Sequence, residues 1–202
     1  MKKIPTPILL LFSIFLLTGS ICKEKKSVTS DVCINAEEQK LYTIIMEYRK
    51  KNNLPKIPLS KSLTYVAQQH CIDLQENKPD MKEECNAHSW SANGKWTACC
   101  YTPDHKQAEC MWNKPRELTG YTDNGFEIAV GSSKPIYNTS TPMTAEIALK
   151  AWQGSVHHND VILNKDIWND QWNAIGVGIY KGFSVVWFGN SLDKEKEPMV
   201  CK

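Results

Sequence analysis

The stretch AWQGSVHHNDVILN, residues 151–164, sets two histidines side by side just past a glycine. Imidazole is a general base, a metal ligand and a charge that switches near neutral pH, so such a pair invites a chemical reading. Adjacent side chains on a helix point about 100° apart, so His157 and His158 cannot easily share one task. The rest of the chain must decide between them. A second grouping is Ser-based: Ser89 follows His88, and Ser155 stands three residues before His158. A hydrolase set can be drawn from these, but no Gly-x-Ser-x-Gly turn is present to expose either hydroxyl. Hydrogen bonding at a helix end or in a loop is the simpler role for Ser89 and Ser155. A third grouping, Cys100-x₄-His105-x₄-Cys110, mimics part of a zinc knuckle. Position 97 is Thr where a further Cys is needed, and adjacent thiolates at 99 and 100 do not close easily around one tetrahedral ion.

The elements that must position these residues begin beyond an export signal. Lys2 and Lys3 precede an uncharged run to Cys22, with an apolar core of ten residues from Ile8 to Leu17. A bilayer span needs ~20 residues, so this core has the length of a signal-peptide h-region instead. Thr18 and Ser20 suit cleavage after residue 20. A lipid-anchored alternative competes, because Leu17-Thr18-Gly19-Ser20-Ile21-Cys22 resembles a lipobox with a bulky Ile before the cysteine. Only lipid on Cys22 would bring the protein to a membrane. Removing residues 1–20 leaves 182 residues with 22 basic and 22 acidic side chains. That length fits one domain with a real core, and the neutral balance disfavours nucleic acid as a partner.

Eight cysteines, at 22, 33, 71, 85, 99, 100, 110 and 201, read as disulfides in an exported chain. Locality suggests Cys71 with Cys85, and Cys99 or Cys100 with Cys110; Cys201 would clamp the tail.

Residues 21–35 are polar and without period, a tether. Asn35 and Glu38 make a capping-box start for an amphipathic helix over 36 to about 51, with Leu41, Ile44, Ile45 and Tyr48 on its apolar face. After NNLPKIP, Ser60 can cap a second helix with Leu63, Val66, Ala67, His70, Cys71 and Leu74 in its stripe. His70 there reads as a core histidine satisfied locally, not a ligand. Residues 77–141 promise loops and short strands, one of them over 126–130. Thr141-Pro142 should open a third helix that carries Ala145, Ala148, Leu149 and Trp152 and ends near Gly154. Two β-rich runs, 173–180 and 183–190, flank Lys181-Gly182 as a hairpin. Residues 192–202 form a charged tail. Strands do not alternate with helices, so the fold class is α+β.

Several segments resemble one family in order. LYTIIMEYRKKNNLPKIPLSKSLTYVAQQH looks like the opening helix pair of the CAP superfamily (cysteine-rich secretory proteins, antigen 5 and pathogenesis-related 1 proteins; the SCP-like extracellular domain). NAHSWS resembles its His-bearing motif, GFEIA its Gly-Glu-Asn-Ile motif without the Asn, and WNAIGVGIYKGFSVVWFG its closing hairpin. AWQGSVHHNDVILN is similar to the bacterial form Trp-x-x-Ser-x-x-His-x-x-x-Ile-Leu-Asn, in which the histidine three past the serine is His158 here. The resemblance spans the domain at 36–191. It implies a three-layer α-β-α sandwich with a central antiparallel sheet, a disulfide-rich insertion, and a cleft holding His88, Glu127 and His158. It also implies metal binding through the two histidines. A second glutamate found in many eukaryotic members is Ser155 here.

Two imidazoles and a carboxylate can hold Zn²⁺ with an open position. Equally, Glu127 can accept a hydrogen bond from one ring and merely orient it. The expected function is binding outside the cell, with a sterol, a fatty acid, a glycan or a host or cell-surface protein as partner; the alternative is a secreted hydrolase using the same cleft. Trp96, Tyr101, Trp112 and Tyr121 in the insertion either line that cleft or form a satellite core pinned by the cysteines.

Overall fold

The structure is a computed structural model that describes residue 29 and residues 31–82, 84–135 and 141–202. The expected export signal, Cys22 and most of the expected tether, residues 1–28, lie outside the described residues.

The first strand, β1 (Cys33–Ile34), runs directly into α1 (Ala36–Lys51). Asn35 Oδ1 accepts the Glu38 N–H, and Glu38 accepts the Asn35 N–H in return, so the capping box forms as its spacing requires. Glu38 is also a staple. Its carboxylate takes hydrogen bonds from the Gln68 amide and the Ile179 N–H, joining α1 to the next helix and to the sheet. Helix α2 (Lys61–Asn77) is capped by Ser60, whose hydroxyl accepts the Leu63 N–H and donates to Asp193. Asp193 also accepts from the Ser62 N–H and hydroxyl, which fastens the start of the tail to this helix.

A 3₁₀ turn (Pro79–Met81), two short helices, α3 (Ala108–Trp112) and α4 (Lys114–Leu118), and strand β2 (Phe126–Val130) follow. Helix α5 (Ala145–Gln153) starts three residues later than Thr141-Pro142 suggested. The Thr144 hydroxyl accepts the Ile147 N–H, while the Met143 N–H is given to the Lys181 carbonyl, which keeps Met143 out of the helix. Helix α6 (Val156–Ile162), a second 3₁₀ turn (Asp166–Trp168), the hairpin β3 (Ala174–Tyr180) and β4 (Phe183–Gly189), and β5 (Met199–Val200) complete the chain.

Strand β4 is central, antiparallel to β2 on one side and to β3 on the other. Alternation sends Ile128, Ile175, Val177, Val186 and Phe188 to one face, against Leu41, Ile45, Ala148, Trp152 and Ile162. Ala129, Val185 and Trp187 go to the other, against Leu63, Val66, Ala67, Leu74 and the insertion. The result is α+β, a three-layer sandwich of helices on both faces of an antiparallel sheet. Gly176 and Gly178 let α2 lie directly on β3. A Cβ at either position would overlap the α2 backbone at Leu63–Thr64 or Ala67–Gln68.

Three disulfides form among the described residues: Cys33–Cys201, Cys85–Cys100 and Cys99–Cys110. The expected Cys71–Cys85 pair does not exist. Cys71 is free and buried on the sheet-facing side of α2, and burial pushes its thiol well above the ordinary range. Cys85, on the loop beyond, bonds Cys100 instead. The Cys201 clamp closes on Cys33, and β1 pairs with β5 in parallel beside it. Residues 31–35, at the end of the stretch read as tether, are therefore part of the fold, with Ile34 buried in the core.

Candidate functional site

Helix α2 and strand β2 meet at His70 and Glu127. His70 falls inside the apolar stripe of α2 and has no exposed surface. Glu127 points to the same side of the sheet, one residue before Ile128, which faces the other core. The loop 86–91 brings the second imidazole. Asn86 Oδ1 accepts the His88 N–H, and Ser91 is bonded through its N–H and hydroxyl to Asp73 of α2. Trp90 and Cys99 exchange both backbone hydrogen bonds, so the Cys99–Cys110 and Cys85–Cys100 bridges fix the loop from behind.

The carboxylate of Glu127 lies between two imidazoles. Its Oε2 is 2.5 Å from His70 Nδ1 and its Oε1 is 2.7 Å from His88 Nδ1. The other nitrogen of His70, Nε2, is 3.0 Å from the Ser89 carbonyl oxygen. Trp90 stacks on the His70 ring at 4.1 Å with an interplanar angle of 8°. Burial alone would raise the Glu127 carboxyl, but the charge and hydrogen bond of His70, then those of His88, hold it below the ordinary value.

His88 is part-exposed, at 20 % of its side-chain surface, and its Nε2 has no hydrogen-bond partner among the described residues. His158 projects from α6, which is anchored from several sides: Tyr48 donates to Asn159, Arg49 to the Ile162 carbonyl, and Trp172 to the Val161 carbonyl. Of the adjacent pair, His157 is exposed and His158 is half-buried, as the helical angle demands. Burial pushes the His158 imidazole down to about 4, with the charges of His88 and His157 adding and that of Glu127 opposing. His158 is neutral at pH 7, and no hydrogen bond ties its ring to a described residue.

Neither serine is placed as an activated nucleophile in this geometry. Ser89 has no exposed surface, and its hydroxyl accepts the Tyr101 N–H. Ser155 occupies the N-cap position of α6 without a capping bond from its side chain. Among the described residues no imidazole nitrogen is bonded to either hydroxyl. In the insertion, Tyr101 and Tyr121 are buried with Trp90, Met111 and Leu118 as a satellite core, with Trp96 and Trp112 half-buried against it. His105 bonds Tyr101, and Cys100 and Cys110 are in separate disulfides.

Among the described residues, Glu84, Cys85 and Cys100 bring three potential ligand atoms within 4.8 Å of one another, but the two sulfurs are bonded to each other. His88, Glu127 and His158 are not packed that tightly. The sequence reading placed His70 in the core as a hydrogen-bonded residue, as found, but did not connect it to Glu127, and it did not single out Asp73 or Trp90. The available signal was a titratable ring within an otherwise apolar stripe, which demands polar partners once buried.

No family model matches the chain, and no curated protein matches it. The structure is similar to an outer surface protein of Borrelia burgdorferi, with 20% identity, a TM-score of 0.49, and cover of 76% of this chain and 91% of that one. It is also similar to an extracellular protein containing an SCP domain from Bacillus anthracis, with 18% identity, a TM-score of 0.48, and cover of 77% and 40%. A third likeness is to a cysteine-rich secretory protein of Staphylococcus aureus, with 14% identity, a TM-score of 0.45, and cover of 77% and 39%. The chain spans about two fifths of the length of these last two proteins.

Proposed function

We propose that this is an exported CAP-type protein that acts by binding, with a divalent metal ion, Zn²⁺ by its donor chemistry, held between His88 and His158. The observation that carries this reading is the division of labour on His88. Its Nδ1 lies on Glu127, which leaves Nε2 as the nitrogen that is unpartnered and part-exposed. An imidazole oriented by a carboxylate through its other nitrogen is the usual form of a zinc-binding histidine. His158, neutral and unbonded, suits the second ligand. Both oxygens of Glu127 are engaged by histidines, so it orients and does not ligate. Two protein nitrogens leave positions for water or a ligand group, and such an ion would act as a Lewis acid or an anchor.

The CAP-type assignment rests on five motifs in one order along the chain, and export rests on the leader. Among the described residues no helix is long and apolar enough to cross a membrane. The partner class is a sterol, a fatty acid, a glycan or a cell-surface protein. Hydrolysis finds no support in the placement of Ser89 and Ser155.

Competition titration of Zn²⁺ into the metal-free protein tests the reading. A single site is expected, lost in the H88A/H158A double variant and retained in H157A. Equal affinity in wild type and double variant would refute it. Stoichiometric, saturable uptake of labelled sterol or fatty acid without turnover is the expected result of the ligand screen.

A further inference from the structure

His70 is sealed from solvent and lies outside the pair assigned to the metal, yet both of its ring nitrogens have partners. A backbone carbonyl only accepts, so the 3.0 Å contact with Ser89 oxygen places a proton on Nε2. Nδ1, at 2.5 Å from Glu127 Oε2, then either carries a second proton or receives one from the carboxyl. In both cases the shared proton lies between Nδ1 and Oε2. Glu127 Oε1 is left bare, and at 2.7 Å it must accept from His88 Nδ1. A neutral imidazole with its proton on Nδ1 has its lone pair on Nε2, the state a metal ion needs.

Without His70 this order fails. Oε2 then loses the donor that His70 gives it, and nothing on the far side of the carboxylate fixes which partner of the 2.7 Å Glu127–His88 contact carries the proton. With the proton on Oε1 the carboxyl donates to His88 Nδ1, and the proton of the neutral ring moves to Nε2. The ring of His70 is held for this task by parallel stacking on Trp90, whose own backbone is locked to Cys99.

We propose that His70 is a positioning residue which, through Glu127, fixes the tautomer of His88 and so keeps Nε2 free for the metal ion. This rests on the metal-binding reading above for its purpose, but its first readout needs no metal.

The test uses the full chain with ¹⁵N-labelled histidine at neutral pH, followed by long-range ¹H–¹⁵N spectroscopy. In metal-free wild type, His88 should be the Nδ1–H tautomer, and Nε2 of His70 should be protonated. A wild-type His88 protonated on Nε2 overturns the proposal without any variant. In H70F, which keeps an aromatic ring against Trp90, His88 should gain a proton on Nε2 and Zn²⁺ affinity should fall roughly ten- to a hundredfold. H70Q, whose amide can still donate to Glu127, should lose less on both counts. A folded H70F with an unchanged His88 tautomer refutes the proposal. If wild type takes up no Zn²⁺ but the tautomer still shifts in H70F, the metal reading fails and the positioning role stands.

Discussion

Between the sheet and α1, α5 and α6, the core is made of Leu41, Ile45, Ile128, Ala148, Trp152, Ile175 and Val186, and the buried charged groups beside it, Glu38 and Arg49, sit at the two ends of α1. Beneath the same three strands, α2 and the insertion enclose His70, Glu127, Ser89, Asp73 and Lys114, along with two disulfides. The first layer is held by apolar area, which scales with size and tolerates small changes. The second adds buried polar pairings to its own apolar contacts, among them Leu63, Val66, Leu74 and Trp187. Lys114 shows the logic away from the cleft: it is 1 % exposed, with its ammonium bonded to Glu117 and the Thr97 carbonyl and lying over the Trp90 ring. Removing one member of such a set strands the others without water, so cost depends on what is left behind.

Adjacent residues on β2 allow this contrast to be broken most directly. E127A leaves two imidazoles facing each other without their acceptor and should cost about 3–5 kcal/mol in urea unfolding. I128V, on the opposite face, should cost about 1 kcal/mol. Equal losses would erase the distinction between the layers. The same carboxylate sets a pH signature. Its folded value lies below the ordinary 4.5, so its stabilising contribution is present above 4.5 and lost as pH falls through the lower folded value. The acid limb of stability should therefore be shallower in E127Q than in wild type, measured between pH 5 and pH 3.

The C99S/C110S pair should cost about 2–4 kcal/mol. It should also speed hydrogen exchange in residues 86–101 while leaving α1 and α5 protected; a uniform rise over the whole chain would show that the two layers are not separable. G176A forces a methyl group into the α2 backbone and should cost about 1–3 kcal/mol, with the loss passed on to His70 as weaker Zn²⁺ binding. The smallest expected change is T144A, about 1 kcal/mol from a lost cap on the apolar layer, with no effect at the site.

What was legible follows the same division. Helices α1 and α2, the strand at 126–130 and the hairpin around Lys181-Gly182 announced themselves by cap residues and apolar period, because local chemistry and burial agree there. The end of α5 at Gly154 was equally plain, but its start was not: Met143 gives its N–H to Lys181, a partner 38 positions away that no window of sequence contains. Disulfide pairing failed at Cys71 for a related reason. Sequence distance favoured Cys85, yet the helical stripe that carries Leu74 also turns Cys71 inward. For the proposed site, His88 and His158 were singled out through motif order. His70 was recognised as a core residue, but its partners, Glu127 and the Ser89 carbonyl, are brought to it only by tertiary packing.

The Cys33–Cys201 bridge makes everything from 34 to 200 a closed covalent ring. Tension applied between the segment before Cys33 and the residues beyond Cys201 would pass across a sulfur–sulfur bond, bypassing the sheet. Under such a pull only chain outside the ring would stretch, and the cleft would keep its shape. Reduction of that link would route the same pull through the folded layers.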